Sequence, residues 1–146
     1  MRLVLDASIV LPLVASSKPE ADRLRTWTEQ MLDEDDAHII GTLTPLEVMS
    51  ALNQLEANFE IETEWATEVQ RRSLGWPFAR ENMTQPRLER AWELRTRFTL
   101  YDAAYLATAE SLQSEHKEDV ALLTADPKLK NAPAATLPCQ ILTFPG

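Results

Sequence analysis

The chain has 146 residues, 45% of them apolar, with a formal charge of −9. That size and apolar content suit one folded domain spanning 1–146 and exclude wholesale disorder. No apolar run approaches the ~20 residues that cross a bilayer, the single cysteine, Cys139, makes no internal disulfide or thiolate metal cage, and the acidic surplus argues against nucleic-acid affinity through bulk charge.

Leu3-Val4-Leu5 is a short apolar run ending in Asp6 and predicts a buried strand. The stretch from Ile9 to Ala15 is too short for a signal peptide, so a soluble cytoplasmic protein is expected. A short helix from Ser8 to about Ala15 is expected there, with Pro12 near its first turn. Leu24, Trp27, Met31 and Leu32 lie at helical spacing between Lys18 and Asp35, and the acids Asp33 to Asp36 end that helix. His38 to Thr42, centred on Ile39-Ile40, predicts a second strand. Val48, Leu52, Leu55 and Phe59 share one face of a helix from Pro45, and Ile61, Trp65 and Val69 repeat the pattern in the next. Leu74, Trp76 and Phe78 alternate weakly as a third strand, which Pro77 would keep at an edge. Leu88, Ala91, Leu94 and Phe98 mark a further helix, and Tyr101 to about Glu115 is apolar on nearly every side for two turns. Val120 to Thr124 predicts a strand, a short helix follows Pro127, and Gln140 to Phe144 is a final strand. Strands at both ends with helices between them predict an α/β sheet covered on both faces. The central run of helices breaks the alternation of a simple doubly wound fold.

Four acids occupy chemically suggestive places. Taken singly, Asp6 before Ser8, Glu47 in Thr44-Pro45-Leu46-Glu47 and Asp126 before Pro127 each fit a helix-capping role. Asp102 fits it less well: it stands on the apolar face formed with Leu106 and Ala109, where an ionised carboxylate is costly unless compensated. Thr99-x-x-Asp102 nonetheless keeps a capping pattern. Taken jointly, two acids follow strands at the carboxyl end, where open α/β sheets place their ligand crevice, and all four lie at helix starts. Four carboxylates drawn together repel, and divalent cations relieve that repulsion. Oxygen ligands without Cys select Mg²⁺ or Mn²⁺ over zinc, and such ions activate water against a phosphodiester. Ser8 and Thr124, each two residues from an acid, either orient a carboxylate or make local turn bonds.

The chain resembles the PIN-domain family, in particular the VapC-type toxins of bacterial toxin–antitoxin pairs. The matching pieces are Val4-Leu5-Asp6-Ala7-Ser8, Thr44-Pro45-Leu46-Glu47, Tyr101-Asp102-Ala103-Ala104-Tyr105-Leu106-Ala107 and Leu123-Thr124-Ala125-Asp126. The third string is fairly specific, and together they span nearly the whole chain. The resemblance implies a three-layer α/β/α sandwich around a mainly parallel sheet, and Mg²⁺- or Mn²⁺-dependent endoribonuclease activity. It carries over Asp6, Glu47, Asp102 and Asp126 as the catalytic, metal-holding acids, with Ser8 and Thr124 in support. It also implies a homodimer and a cognate antitoxin whose tail blocks the site. Ser50 departs from the Asn often found after the glutamate, and the segment from Leu74 to Gln85 matches poorly.

Other constellations favour structural roles. Arg87, Arg90 and Arg97 share a helical face and Arg71-Arg72 form a second basic spot, either tracking RNA or, as the Glu93–Arg97 spacing favours, making a solvated ion-paired face. Trp27, Trp65 and Trp92 fit core positions, whereas Trp76-Pro77-Phe78 is the better candidate for a partner surface. His38 and His116 share no ligand spacing. A phosphoryl-accepting receiver domain would need adjacent acids after the first strand, and a haloacid-dehalogenase-type phosphatase a second acid where Ser8 stands. The alternative that keeps the fold is a catalytically inactive protein-interaction module, against which the complete acid set argues.

Overall fold

A computed structural model describes residues 1–14, 19–33, 37–41, 43–75 and 78–145. The elements run β1 (Arg2–Leu5), α1 (Ala7–Val14), α2 (Pro19–Asp33), β2 (Ala37–Gly41), α3 (Leu43–Ala57), α4 (Thr63–Gly75), β3 (Ala79–Glu81), α5 (Gln85–Leu94), α6 (Leu100–His116), β4 (Val120–Thr124), α7 (Pro127–Lys130), a 3₁₀ turn (Ala134–Thr136) and β5 (Gln140–Thr143). Five strands form one sheet in the order β3-β2-β1-β4-β5, and every pairing is parallel.

The period-two alternation of β1 and β4 divides the core into two layers. Leu3, Leu5, Ala121 and Leu123 face α1 to α4 and pack with Ile9, Val10, Val48, Leu52 and Val69. Val4, Val120 and Leu122 face the other way, against Leu94, Leu106 and Leu112 of α5 and α6. Both faces of the two central strands are therefore dry, which explains their continuous apolar sequences. The predicted α/β/α sandwich is the observed architecture.

Several expectations need correction. Pro12 lies in the second turn of α1 rather than the first. The third strand is Ala79–Glu81, at the sheet edge, while Leu74 belongs to α4. Trp76 and Pro77, proposed as a partner surface, lie outside the described residues, as do the acids at 34–36, and Phe78 beside them is buried in the core. In α5 the inward face is Arg87, Ala91 and Leu94, so Leu88 and Trp92 are exposed and Phe98 falls beyond the helix. Turning Arg87 inward is tolerable because its guanidinium is answered on every side. It donates to Glu81 (2.8 Å), the Asn82 carbonyl (2.9 Å) and Ser111 (3.0 Å), with Glu115 at 3.4 Å. Such pairing offsets the desolvation penalty of burying the charge.

Candidate active site at the carboxyl end of the sheet

The sheet order turns outward in both directions from β1 and β4: β2 and β3 are added on one side, β5 on the other. Loops leaving two such neighbouring strands diverge and open a crevice at their carboxyl ends. Asp6 follows β1, and Asp126 lies two residues after β4.

Asp6 is only 3% exposed, and it does not cap α1 through its side chain. Its main-chain carbonyl takes the helix-start bonds instead, from the N–H groups of Ile9 (3.2 Å) and Val10 (3.1 Å). The carboxylate accepts from two hydroxyls: Ser8 Oγ reaches Oδ1 at 2.5 Å, and Thr124 Oγ1 donates to Oδ2. Those hydroxyls are themselves fixed by main-chain donors, the Ala125 N–H to Ser8 Oγ (2.9 Å) and the Asp126 N–H to Thr124 Oγ1 (3.0 Å). The Asp-x-Ser and Thr-x-Asp strings thus lace the two strand ends together around one carboxylate. Both readings of Ser8 and Thr124 find bonds here: each hydroxyl donates to the Asp6 carboxylate, and the Ser8–Asp6 and Asp126–Thr124 bonds are local turn bonds.

Glu47 stands in the first turns of α3. The proposed capping box is not formed: α3 begins at Leu43, ahead of the expected start, so Thr44 lies inside the helix and its hydroxyl makes no cap bond. Glu47 instead accepts a hydrogen bond from the phenol of Tyr105 on α6. Asp102 sits in the first turn of α6, 8% exposed, and its N–H is capped by Thr99 Oγ1 at 3.3 Å. Asp126 fills the expected capping role at α7, accepting from the Lys128 N–H at 2.9 Å.

The four acids form one electrostatic group. Burial pushes the Asp6 carboxyl up to about 6; the Ser8 and Thr124 hydroxyls oppose that rise, and the charges of Glu47 and Asp102 add to it. Glu47 is raised by burial, against the Tyr105 phenol, with Asp102 and Asp126 contributing. Asp102 is raised by burial and by Asp126, with Thr99 and Lys128 pulling the other way. No three His, Cys, Asp or Glu side chains among the described residues gather tightly enough to hold an ion as they stand. The donor chemistry nonetheless suits a hard divalent cation: the groups are all oxygens, and Asp6, Glu47 and Asp102 are each raised by a neighbouring acid. Tyr105 went unassigned in the sequence, although its position three residues after Asp102 puts it on the same helical face. Lys128 was likewise not singled out. Ser50, the departure from the family pattern, is exposed.

The basic residues fall into two groups. Arg71 and Arg72 both pair with Glu68, and Arg90 pairs with Glu93 and Glu110, so ion-paired surfaces form, but Glu93 is taken by Arg90 rather than by the expected Arg97, and Arg87 is buried rather than solvated. Arg97 lies beyond α5 and donates to the Thr136 carbonyl at 3.0 Å. Trp27 and Trp65 pack against the core as expected, whereas Trp92 is 59% exposed, with the Arg95 guanidinium 3.6 Å over its ring.

Comparison with known proteins agrees with this fold. The chain is 34% identical over 142 residues to ribonuclease VapC1 of Mycobacterium tuberculosis, covering 94% of each chain. It superposes on VapBC2 from Rickettsia felis, solved with a promoter DNA fragment, at a TM-score of 0.66, 12% identity and 99% coverage of both chains. A toxin–antitoxin complex from Klebsiella pneumoniae gives a TM-score of 0.59 at 23% identity, with 97% of this chain and 96% of that one covered. The sarcin–ricin loop cleaving toxin VapC20 of Mycobacterium tuberculosis gives 0.62 at 14% identity, covering 88% and 92%. The PIN domain model matches residues 3–135, and the chain belongs to that family.

Proposed function

We propose that this protein is an endoribonuclease, the toxin of a toxin–antitoxin pair, which hydrolyses RNA phosphodiesters at the crevice formed by Asp6, Glu47, Asp102 and Asp126. What supports this reading is placement: Asp6 and Asp126 follow the paired strands β1 and β4, and Glu47 is bonded by Tyr105, one turn along α6 from Asp102, so four acids distant in sequence act on one another's charge. The 34% identity to a VapC ribonuclease over almost the full chain supports it.

The four carboxylates are the groups that would hold Mg²⁺ or Mn²⁺. The chemistry such an ion supplies is neutralisation of the acids, activation of water and stabilisation of charge on the phosphodiester. The chain's own contribution is positioning. Ser8 and Thr124 hold both oxygens of Asp6, Tyr105 holds one oxygen of Glu47, and Thr99 anchors the turn that carries Asp102. These bonds set the carboxylates before any ligand arrives, so little ordering remains to be done on binding. The similarity to VapBC complexes supports an antitoxin partner, and a homodimer is the assembly we assign to the toxin itself.

The test is RNA cleavage by purified protein with Mg²⁺ or Mn²⁺, with and without chelator. Cleavage that needs the ion and disappears in Asp6→Asn and Asp102→Asn, with unchanged circular dichroism, is the expected result. Folded wild-type protein that cleaves no RNA with either ion, yet binds a partner tightly, would establish the interaction-module reading in its place.

A further inference from the structure

Most of the arginines with assigned contacts are neutralised locally. Arg2, Arg71, Arg72, Arg87 and Arg90 each lie within 2.8–3.0 Å of a glutamate. Arg80, Arg95, Arg97, Lys117, Lys128 and Lys130 have no carboxylate within ion-pair distance among the described residues, and of these Arg97 and Lys128 stand beside Asp102. Both line one cleft of about 700 Å³, which also contains Phe98, Thr99, Asp102 and Asn131. Arg95, Arg97 and Lys128 thus place positive charge in a cleft beside the acid crevice on a chain of charge −9. The Arg97 guanidinium is held in place by the Thr136 carbonyl, which leaves its remaining N–H groups free to donate elsewhere. Lys128 is near enough to Asp102 to favour its charged form.

We propose that this cleft seats the sugar–phosphate backbone of RNA next to the scissile bond, with Arg97 and Lys128 each contacting a phosphate. This rests on the nuclease reading above and assigns the path by which the substrate leaves the acid crevice. The placement solves a problem that the acids create. A polyanion approaching four carboxylates is repelled, and neutralisation at the reacting phosphate leaves the flanking phosphates unattended. Cations along an adjoining cleft attract those phosphates and fix the strand's register without reading bases. The last-turn lysine of α7 and the arginine after α5 reach the cleft from two different elements, so the strand is gripped from both walls.

The experiment compares wild type, Arg97→Gln, Lys128→Gln, their double variant and an Arg71→Gln/Arg72→Gln control. Each is measured for cleavage of a single-stranded RNA and, by fluorescence anisotropy, for binding of the same fluorescein-labelled RNA over a salt series with Mn²⁺. Arg97→Gln should raise KM and Kd several-fold with kcat within about twofold, and the double variant should raise KM and Kd about tenfold, uniformly across RNA sequences. Its plot of log K against log salt should be shallower by about 1.4, the value for two phosphate contacts on a single strand. The control should match wild type. Lys128→Gln alone keeps the test decisive if loss of the Arg97–Thr136 bond disturbs the fold. Unchanged KM, Kd and salt slope in a cleaving enzyme overturn the cleft assignment and leave the cleft to an acidic partner segment. An equal loss in the control overturns it too, because any surface charge would then serve. A wild type that binds RNA through Arg97 and Lys128 but does not cleave it would sink the nuclease reading alone.

Discussion

Burial raises the Asp6 carboxyl to about 6 from an ordinary 3.8, and that displacement fixes how the metal-free protein should respond to pH. Below about 3.8 the carboxyl carries its proton whether the chain is folded or not. There this group costs the fold nothing. Between 3.8 and 6 folding must take up a proton that the unfolded chain has released, so stability falls steadily as pH rises, and above 6 the folded state carries the full cost of a buried charge. The displacement is worth on the order of 2–3 kcal/mol. In chelator, Asp6→Asn should therefore be more stable than wild type by roughly this amount at pH 8, with the gap closing toward pH 4. Urea melts of both proteins across that range check it; a variant that loses ground as pH rises would show the carboxylate to be compensated. Tyr105 supports a second expectation. Tyr105→Phe keeps the packing of a ring that is 3% exposed but removes the donor to Glu47. It should leave the fold intact and weaken Mn²⁺ binding by about tenfold, as loss of a ligand-orienting partner does elsewhere. Isothermal calorimetry would read this directly, and an unchanged affinity would mean that Glu47 needs no help.

Among the elements, those with a strong periodic signal were legible and those governed by an exception were not. β1 and β4 were plain because both faces of each are dry, and α6 because apolar residues surround it. α5 misled because the pattern Leu88, Ala91, Leu94 is as good a helical face as Arg87, Ala91, Leu94, and only the second is buried. Nothing in the local sequence says that Glu81 and Glu115, from β3 and α6, will meet an inward arginine. The capping box before Glu47 failed for a related reason: α3 starts earlier than the motif implied, and a tertiary partner, Tyr105, claims the carboxylate. Convergence of the acids could be anticipated from their positions at strand and helix ends. Their hydroxyl and phenol partners could be named only in part. The Arg87 arrangement makes a prediction at this scale. Arg87→Ala should destabilise the protein by roughly 1–3 kcal/mol, because the buried stem and the bonds to Ser111 and the Asn82 carbonyl are lost while Glu81 and Glu115, both solvent-accessible, lose their cation. Arg87→Met, similar in volume, should recover part of that loss by restoring the packing. Thermal melts of the pair would separate charge from shape.

For the whole molecule, the acids that make the site also weaken the fold. Asp6, Glu47 and Asp102 are all shifted toward their protonated forms, so at neutral pH the ligand-free protein bears the cost of partly desolvated, mutually repelling charge. A cation bound among them removes repulsion that the unfolded chain, with its acids far apart, does not suffer. Binding to the folded state alone stabilises it by mass action, about 2.7 kcal/mol at a hundred times the dissociation constant. For a chain of 146 residues that amounts to a rise in Tm of roughly 5–10 °C. Mn²⁺ should therefore raise the melting temperature, chelator should reverse the rise, and Asp102→Asn should lose most of it. A helix-capping role for Asp102 predicts something different: the variant would melt lower than wild type with or without the ion, and the increment from Mn²⁺ would be preserved. Differential scanning calorimetry of the two proteins, with and without Mn²⁺, thus distinguishes a metal site from a set of helix caps without any RNA in the cell.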